Sequence, residues 1–356
     1  MRYLSGFTAP DPFLYLKTAA ADYLVVSIME KERAVRQSNP GTQVFTPAEL
    51  GLKGKQSGRW KDQIIKLMEI ARIRRIQVSS GFPAGLYLDL QKKGVNISVT
   101  RKAVCPERAV KSRDEIVKIR KSQQAAVAAM KGAAALIQAS SIDGKRRLSY
   151  KRQPLTSETV RRHIDKILIE HDCIGTDTIV AGGNQATDPH ERGEGQLYAG
   201  EAIIIDIFPQ SRKTGYWGDI TRTFCRGKAP AELKKLYLAV KAAQAEALKA
   251  VRAGVCGDEI HALCCRVFEE RNFPTTEQNG VHTGFIHGTG HGVGLDIHEQ
   301  PRIGRSGAQL EAGQVVTIEP GLYYPGKGGV RIEDTVVVTE TGFRYLASCP
   351  KKFELL

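Results

Sequence analysis

Residues 203–208 read Ile-Ile-Ile-Asp-Ile-Phe, an apolar run with one carboxylate inside it. Such a run reads as a buried strand. An ionised carboxylate in that setting is costly unless a cation or a metal ion meets it. Whatever fold the chain adopts must therefore deliver a partner to Asp206. Downstream lies Trp217-Gly218-Asp219-Ile220-Thr221, a second strand-like piece with its own acid. A four-residue hairpin loop at Ser211–Thr214 would set Asp206 directly across from Asp219. Like charges in that position repel, and a cation between them removes the conflict.

The arrangement recurs near the C-terminus. Glu319 ends Val315-Val316-Thr317-Ile318-Glu319, and Glu333 lies in Val330-Arg331-Ile332-Glu333-Asp334. A glycine-rich turn, Pro325 to Gly329, joins the two. Arg331 and Glu333 share a face by the two-residue period of a strand. Four carboxylates on two hairpins balance two divalent cations. An oxygen-rich set of this kind suits hard or borderline ions such as Mn²⁺ or Co²⁺.

Between the hairpins, residues 287–298 read His-Gly-Thr-Gly-His-Gly-Val-Gly-Leu-Asp-Ile-His. Glycine at 288, 290, 292 and 294 argues against a helix and lets the backbone approach a ligand. His287, His291 and His298 project from this stretch. His190, in Thr187-Asp188-Pro189-His190-Glu191, sits in a loop before the Asp206 strand. The other histidines, His163, His171, His261 and His282, read as structural, and Asp296 takes no role. No dinucleotide fingerprint, Walker motif or Gly-x-Ser-x-Gly elbow accompanies the glycines.

The chain's 356 residues suggest two domains. With 42% hydrophobic and 25% charged residues it reads as globular. No apolar run reaches the roughly 18–20 residues of a membrane helix, and the N-terminus lacks a signal-peptide apolar core. Seven scattered cysteines without a CxxC pair indicate free thiols in a reducing cytoplasm. Net charge is +14, and residues 1–110 carry +9 of it. The basic clusters at Arg72, Arg74 and Arg75 and at Lys145 to Arg147 lack interleaved aromatics. They read as solvated surface or as an attraction for acidic peptides, without nucleic acid or membrane as a partner.

The first hundred residues read as a small α/β unit. Strands are expected at Tyr23–Ile28, Arg75–Val78 and Val95–Val99, and a helix from Pro83 to Lys93 stopping at Gly94. Residues 37–58 read as loop. Beyond a boundary near Pro106, Ser112 opens a long alanine-rich helix, and Thr156 caps a second that runs to about His171. Strands follow at 178–180, 202–208 and 216–224. Helices at 230–253 and 257–272 then precede strand pieces at 285–286, 315–318 and 329–338. The order helix, helix, strands thus occurs twice. Two such halves facing each other would hold a site between their sheets.

These residues resemble the pita-bread metallopeptidase family (M24) of methionine aminopeptidases, Xaa-Pro aminopeptidases and prolidases. Asp206 in IIIDIFP, Asp219 in GYWGDITRTF, His291 in HGTGHGVGLDIHEQP, Glu319 in TIEPGLYY and Glu333 in GVRIED match its five metal-ligand positions in order. The resemblance covers about residues 110–356. RYLSGF and MEKERA resemble, more weakly, the N-terminal domain of the Xaa-Pro branch, which methionine aminopeptidases lack. The fold implied is α+β. Residues 111–356 would form a pita-bread (creatinase/aminopeptidase-like) catalytic domain with pseudo-twofold halves. Residues 1–110 would form a smaller creatinase-type α/β domain, shortened at its start. Two further departures stand out: the family's usual Asp-x-Gly after the first ligand is here Asp206-Ile207-Phe208-Pro209, and the Asp206-to-Asp219 spacing of 13 is long for the family.

The resemblance implies a dinuclear exopeptidase that cuts between an N-terminal residue and a following proline. Asp206 would bind one divalent ion, Asp219 and Glu333 would bridge both, and His291 and Glu319 would complete the other. Mn²⁺ is the expected ion, with Co²⁺, Zn²⁺ or Fe²⁺ as alternatives. A metal-bridging water or hydroxide would attack, with Glu319 as general base. His190 and His298 would bind substrate and handle protons. His287 would line the proline-side pocket, and Arg331 would hold carboxylates or contact substrate. Small peptides are the implied substrates and a homodimer the implied assembly. Two alternatives are a creatinase-like C–N hydrolase of a non-peptide substrate, which works without metals, and a non-catalytic pita-bread binding protein.

Overall fold

The computed structural model describes residues 1–278 and 280–356. The chain divides into two compact units, Met1–Pro106 and Glu107–Leu356. In the first, strand β1 (Leu14–Lys17) runs antiparallel to β2 (Asp22–Val25). The chain leaves the sheet earlier than its apolar run suggests. Ser27 turns it toward helix α1 (Lys31–Gln37), and Ile28 ends in solvent. The Gly/Ser/Pro-rich stretch expected as loop contains β3 (Gln43–Phe45), which pairs parallel with β2. Helix α2 (Trp60–Ile70) buries Ile64, Leu67 and Met68. Strands β4 (Arg75–Ser79) and β5 (Asn96–Thr100) pair in parallel across helix α3 (Ala84–Lys92). Gly94 follows that helix at φ +75°, the left-handed stop its position suggests.

In the second unit, helix α4 (Arg113–Gln138) starts at a capping box. The Ser112 hydroxyl accepts from the Glu115 N–H, and the Glu115 carboxylate accepts from the Ser112 N–H. Helix α5 (Ser157–Glu170), capped by Thr156, packs on α4. The sheet beside them contains β6 (Ile179–Gly182), β7 (Ile203–Ile207) and β8 (Ile220–Arg226), closed by the short C-terminal strand Glu354–Leu355. The period of two sorts β7 cleanly. Ile203, Ile205 and Ile207 join the core under α4 and α5, while Ile204 turns the other way. Asp206 is two residues from Ile204 and shares its face.

The pattern repeats. Helices α6 (Ala231–Ala250) and α7 (Gly257–Glu270) pack together. They cover a five-stranded sheet built from β9 (Gly290–Gly292), β10 (Glu299–Ile303), β11 (Val315–Ile318), β12 (Asp334–Val338) and β13 (Phe343–Tyr345), in the order β10-β9-β11-β12-β13. Residues 285–286 form no strand, and the run expected over 329–338 breaks at Ile332 and Glu333 into Gly328–Arg331 and β12. Among the described residues no disulfide joins any two of the seven cysteines. Among the described residues no helix is long and apolar enough to cross a membrane.

Candidate metal centre

The first hairpin closes one residue later than its sequence suggests. The Ser211 N–H donates to the Tyr216 carbonyl, so the four-residue loop is Arg212 to Gly215, with Gly215 at φ +73°. That step moves the register by two. Asp206 pairs with Thr221 and not with Asp219, which lies just before β8. A shift of two preserves the face, so both aspartates still point to the same side. In the second hairpin Ile318 pairs with Asp334 and Gly321 with Arg331. Glu319 and Glu333 fall opposite one another in the gap between those pairings. The two hairpins are stitched together: the Glu333 N–H donates to the Thr221 carbonyl, and the Arg331 N–H to Thr223 Oγ1.

His291 enters from β9, where glycines are required by contact rather than by flexibility. A Cβ on Gly290 would lie 1.9 Å from the Thr317 carbonyl oxygen, and one on Gly292 would lie 2.2 Å from that of Gln300. His291 Nδ1 faces the Gly292 carbonyl at 3.1 Å, which fixes its proton there. Nε2 is left to face Glu319 Oε1 at 3.2 Å and Asp219 Oδ2 at 3.7 Å. Ligand atoms of Asp219, His291 and Glu333 all lie within 4.8 Å of one another. With Asp206 and Glu319 lining the same cavity, the five residues of the expected ligand set lie together.

The electrostatics call for a cation. Burial and the Asp206 charge raise the Asp219 carboxyl well above its usual range. Burial and Asp219 do the same to Glu333. Asp206 is raised by burial, against the pull of Arg331. Burial would also raise Glu319, but its contact with His291 prevails and lowers it to about 2. Arg331 is the one permanent cation touching these groups among the described residues; its Nη2 donates to Asp206 Oδ2 at 2.8 Å. Asp206 Oδ1 is buried without a hydrogen-bond partner. Four clustered carboxylates, one imidazole with Nε2 free of the backbone and an orphaned carboxylate oxygen fit divalent cations.

The remaining expected residues surround the same cavity of about 490 Å³. His190, His287 and His298 line it together with the carboxylates and Arg331. The His298 ring meets the His291 ring edge-on, with centroids 4.3 Å apart. Its loop is pinned from outside: Arg108 bonds Asp296 and Glu299, and Lys111 bonds Glu299 at 2.8 Å. Asp296, unassigned from sequence, thus secures the His298 loop. Burial pushes the His287 imidazole down to about 4, so it is neutral near pH 7. Its Nδ1–H donates to the Gly288 carbonyl, which leaves Nε2 to accept from the Tyr323 hydroxyl at 2.9 Å. Tyr323 in turn accepts from Arg331 Nη1 at 2.7 Å.

Sequence reasoning misses several participants. Thr221 Oγ1 donates to Glu333 Oε2 at 2.8 Å, a contact that follows only from the shifted register. Tyr323 links His287 to Arg331, and nothing in its sequence neighbourhood announces that link. Arg192 and Arg302 add positive charge to the cavity wall. Arg302 lies four residues after His298 and pairs with His291 across the strands, beside the bulge between His291 and Gly292.

Comparison with known proteins gives one family model, metallopeptidase family M24, matching residues 117–340. An uncharacterized peptidase of Bacillus subtilis is 38% identical over 187 residues, 52% of this chain and 50% of that protein. A Xaa-Pro dipeptidase of Pyrococcus furiosus is 36% identical over 178 residues, 49% of this chain and 48% of that protein. The chain thus spans about half the length of these curated relatives. Among solved structures, a Xaa-Pro dipeptidase from Bacillus anthracis superposes with a TM-score of 0.84 at 26% identity, covering 99% of this chain and 91% of its own.

Proposed function

The chain belongs to metallopeptidase family M24, has its pita-bread fold, and from that premise we propose that it is a dinuclear metal-dependent exopeptidase. Its reaction is hydrolysis of the bond between an N-terminal residue and a following proline. The observation that carries this reading is the five-residue set Asp206, Asp219, His291, Glu319 and Glu333, gathered in one cavity with Arg331 in contact with Asp206. The family implies divalent metal ions, and these five side chains would hold them. When bound, such ions supply Lewis-acid activation of water and of the scissile carbonyl.

The chain's own residues divide the remaining work. Glu319, whose Oε1 lies 3.2 Å from His291 Nε2, is the carboxylate that would accept a proton as water adds to the carbonyl carbon. His298 and His190 line the same cavity and would supply hydrogen bonds to the developing oxyanion and the leaving nitrogen. Neutral His287, fixed by Gly288 and Tyr323, forms a firm apolar-faced wall suited to a proline ring. Arg331 aligns Asp206 through its hydrogen bond and opposes the burial that raises it. Arg192 and Arg302 offer positive charge to a peptide carboxylate. Xaa-Pro dipeptides are favoured as substrates because both the Pyrococcus furiosus relative and the Bacillus anthracis structure are Xaa-Pro dipeptidases.

Family resemblance supports a homodimer and residues 1–110 as a creatinase-type domain, the oxygen-rich ligand set supports Mn²⁺ as the ion, and the scattered cysteines support a cytoplasmic location. The test is hydrolysis of Ala-Pro, Ala-Pro-Ala and Ala-Ala by metal-stripped protein before and after Mn²⁺ is restored. Metal-dependent cleavage confined to the proline peptides supports the proposal. Silence on both proline peptides with metal bound overturns it.

A further inference from the structure

Asp219 presents a backbone problem that its neighbours in the sheet do not share. It is 4% exposed, yet it precedes β8, so no strand pairs with its N–H and carbonyl. Buried peptide groups require partners. One side chain supplies both. Gln123, on α4 and 1% exposed, accepts from the Asp219 N–H at 2.7 Å through Oε1, and its Nε2 donates to the Asp219 carbonyl at 2.7 Å. The orientation of the carboxamide is set by these partners: turned over, it would oppose donor to donor and acceptor to acceptor.

The same helix is pressed against this loop. Ser122 Oγ donates to the Tyr216 carbonyl at 2.8 Å. A Cβ on Gly218 would lie 2.6 Å from the Gln123 nitrogen, so only glycine lets α4 come this near. Thr335 Oγ1, from β12, reaches the Asp219 carbonyl at 2.7 Å from the other half of the fold. The peptide on either side of Asp219 is therefore gripped from both halves, while its carboxylate faces His291.

We propose that Gln123 is a positioning residue for the metal centre, acting as a surrogate strand that fixes the Asp219 backbone and so aims its carboxylate. The inference rests on the reading of Asp219 as a metal ligand. A merely structural glutamine would affect melting and leave metal affinity alone. A positioning glutamine affects both, since groups that orient ligands are worth about 10–100-fold in metal affinity.

The probe is Co²⁺, added to metal-stripped protein and followed by visible absorption and by isothermal titration. Gln123→Met keeps the shape and removes both hydrogen bonds; Gln123→Glu keeps the acceptor and loses the donor. Leu168→Ala, in the core under the same helices, is the destabilised control. The expected result is Co²⁺ affinity about 10–100-fold weaker in Gln123→Met, with an altered absorption band, a smaller loss in Gln123→Glu and none in Leu168→Ala. Affinity and spectrum equal to those of the parent protein in a folded Gln123→Met overturn the inference. Should that variant not fold, Gln123→Glu decides by the same measurement. Failure of the parent protein to bind Co²⁺ removes the metal reading itself.

Discussion

Arg331→Met makes the sharpest test of the site's electrostatics. Arg331 is 3% exposed, and its guanidinium donates to Asp206 at 2.8 Å, to Tyr323 at 2.7 Å and to Thr221 at 3.3 Å. Burial works against its charge, and Tyr323 and Asp206 outweigh that effect and hold it protonated. Removal leaves the Asp206 carboxylate beside three other acids with no cation in contact. Breaking a buried pair from one side costs about 3–5 kcal/mol. For a folding unit of this size, each kcal/mol moves the melting temperature by roughly 2–4 °C. Metal-stripped Arg331→Met should therefore melt about 6–20 °C below the parent protein. Asp206→Asn, which removes the stranded charge, should recover part of that loss in the double variant. Adding Mn²⁺ should narrow the gap, because the bound ion offers Asp206 an alternative countercharge. Melting curves for the four proteins, stripped and loaded, give the answer. A stripped Arg331→Met within about 0.5 kcal/mol of the parent, or strict additivity with Asp206→Asn, would refute the reasoning.

Other consequences are simpler to read. Glu319→Ala should lower kcat on Ala-Pro by about 10²–10⁴-fold, the range of a lost general base; steady-state kinetics at saturating metal check this. Saturating the stripped protein with Mn²⁺ at 100 times its Kd should stabilise it by about 2.7 kcal/mol, read as an upward melting shift that a chelator reverses. Gly290→Ala should cost about 1–3 kcal/mol through overpacking against the Thr317 carbonyl and should abolish activity by displacing His291. Gly85→Ala, in α3 with nothing within 4 Å of the new Cβ, should be neutral or mildly stabilising in the same melts.

The acids are legible in the sequence because each breaks an apolar pattern: a carboxylate within Ile203–Ile207 has no cheap resting place, and a period of two tells which face it takes. Helix starts at Ser112 and Thr156 are legible through their caps. The exact pairing is not. One residue of loop placement decides whether Asp206 faces Asp219 or Thr221, and Ser211 and Arg212 are equally credible loop residues. The interruption at Ile332 and Glu333 is hidden too, since Val330–Val338 reads as one unbroken strand, and only the Glu333 N–H donating to Thr221 reveals the break. Gln123 leaves no trace at all: a glutamine on a long helix resembles any solvated one, and its burial depends on Gly218 letting the helix approach.

On the proposed function, hydrolysis of Xaa-Pro peptides requires divalent metal held by five side chains. Titrating Mn²⁺ into metal-stripped protein, with Ala-Pro hydrolysis and bound metal measured on the same samples, tests that requirement most directly. No cleavage is expected without metal, and activity should rise with occupancy and saturate at two ions per chain. Equal cleavage in the stripped protein, or two bound ions with no cleavage of Ala-Pro or Ala-Pro-Ala, would contradict it.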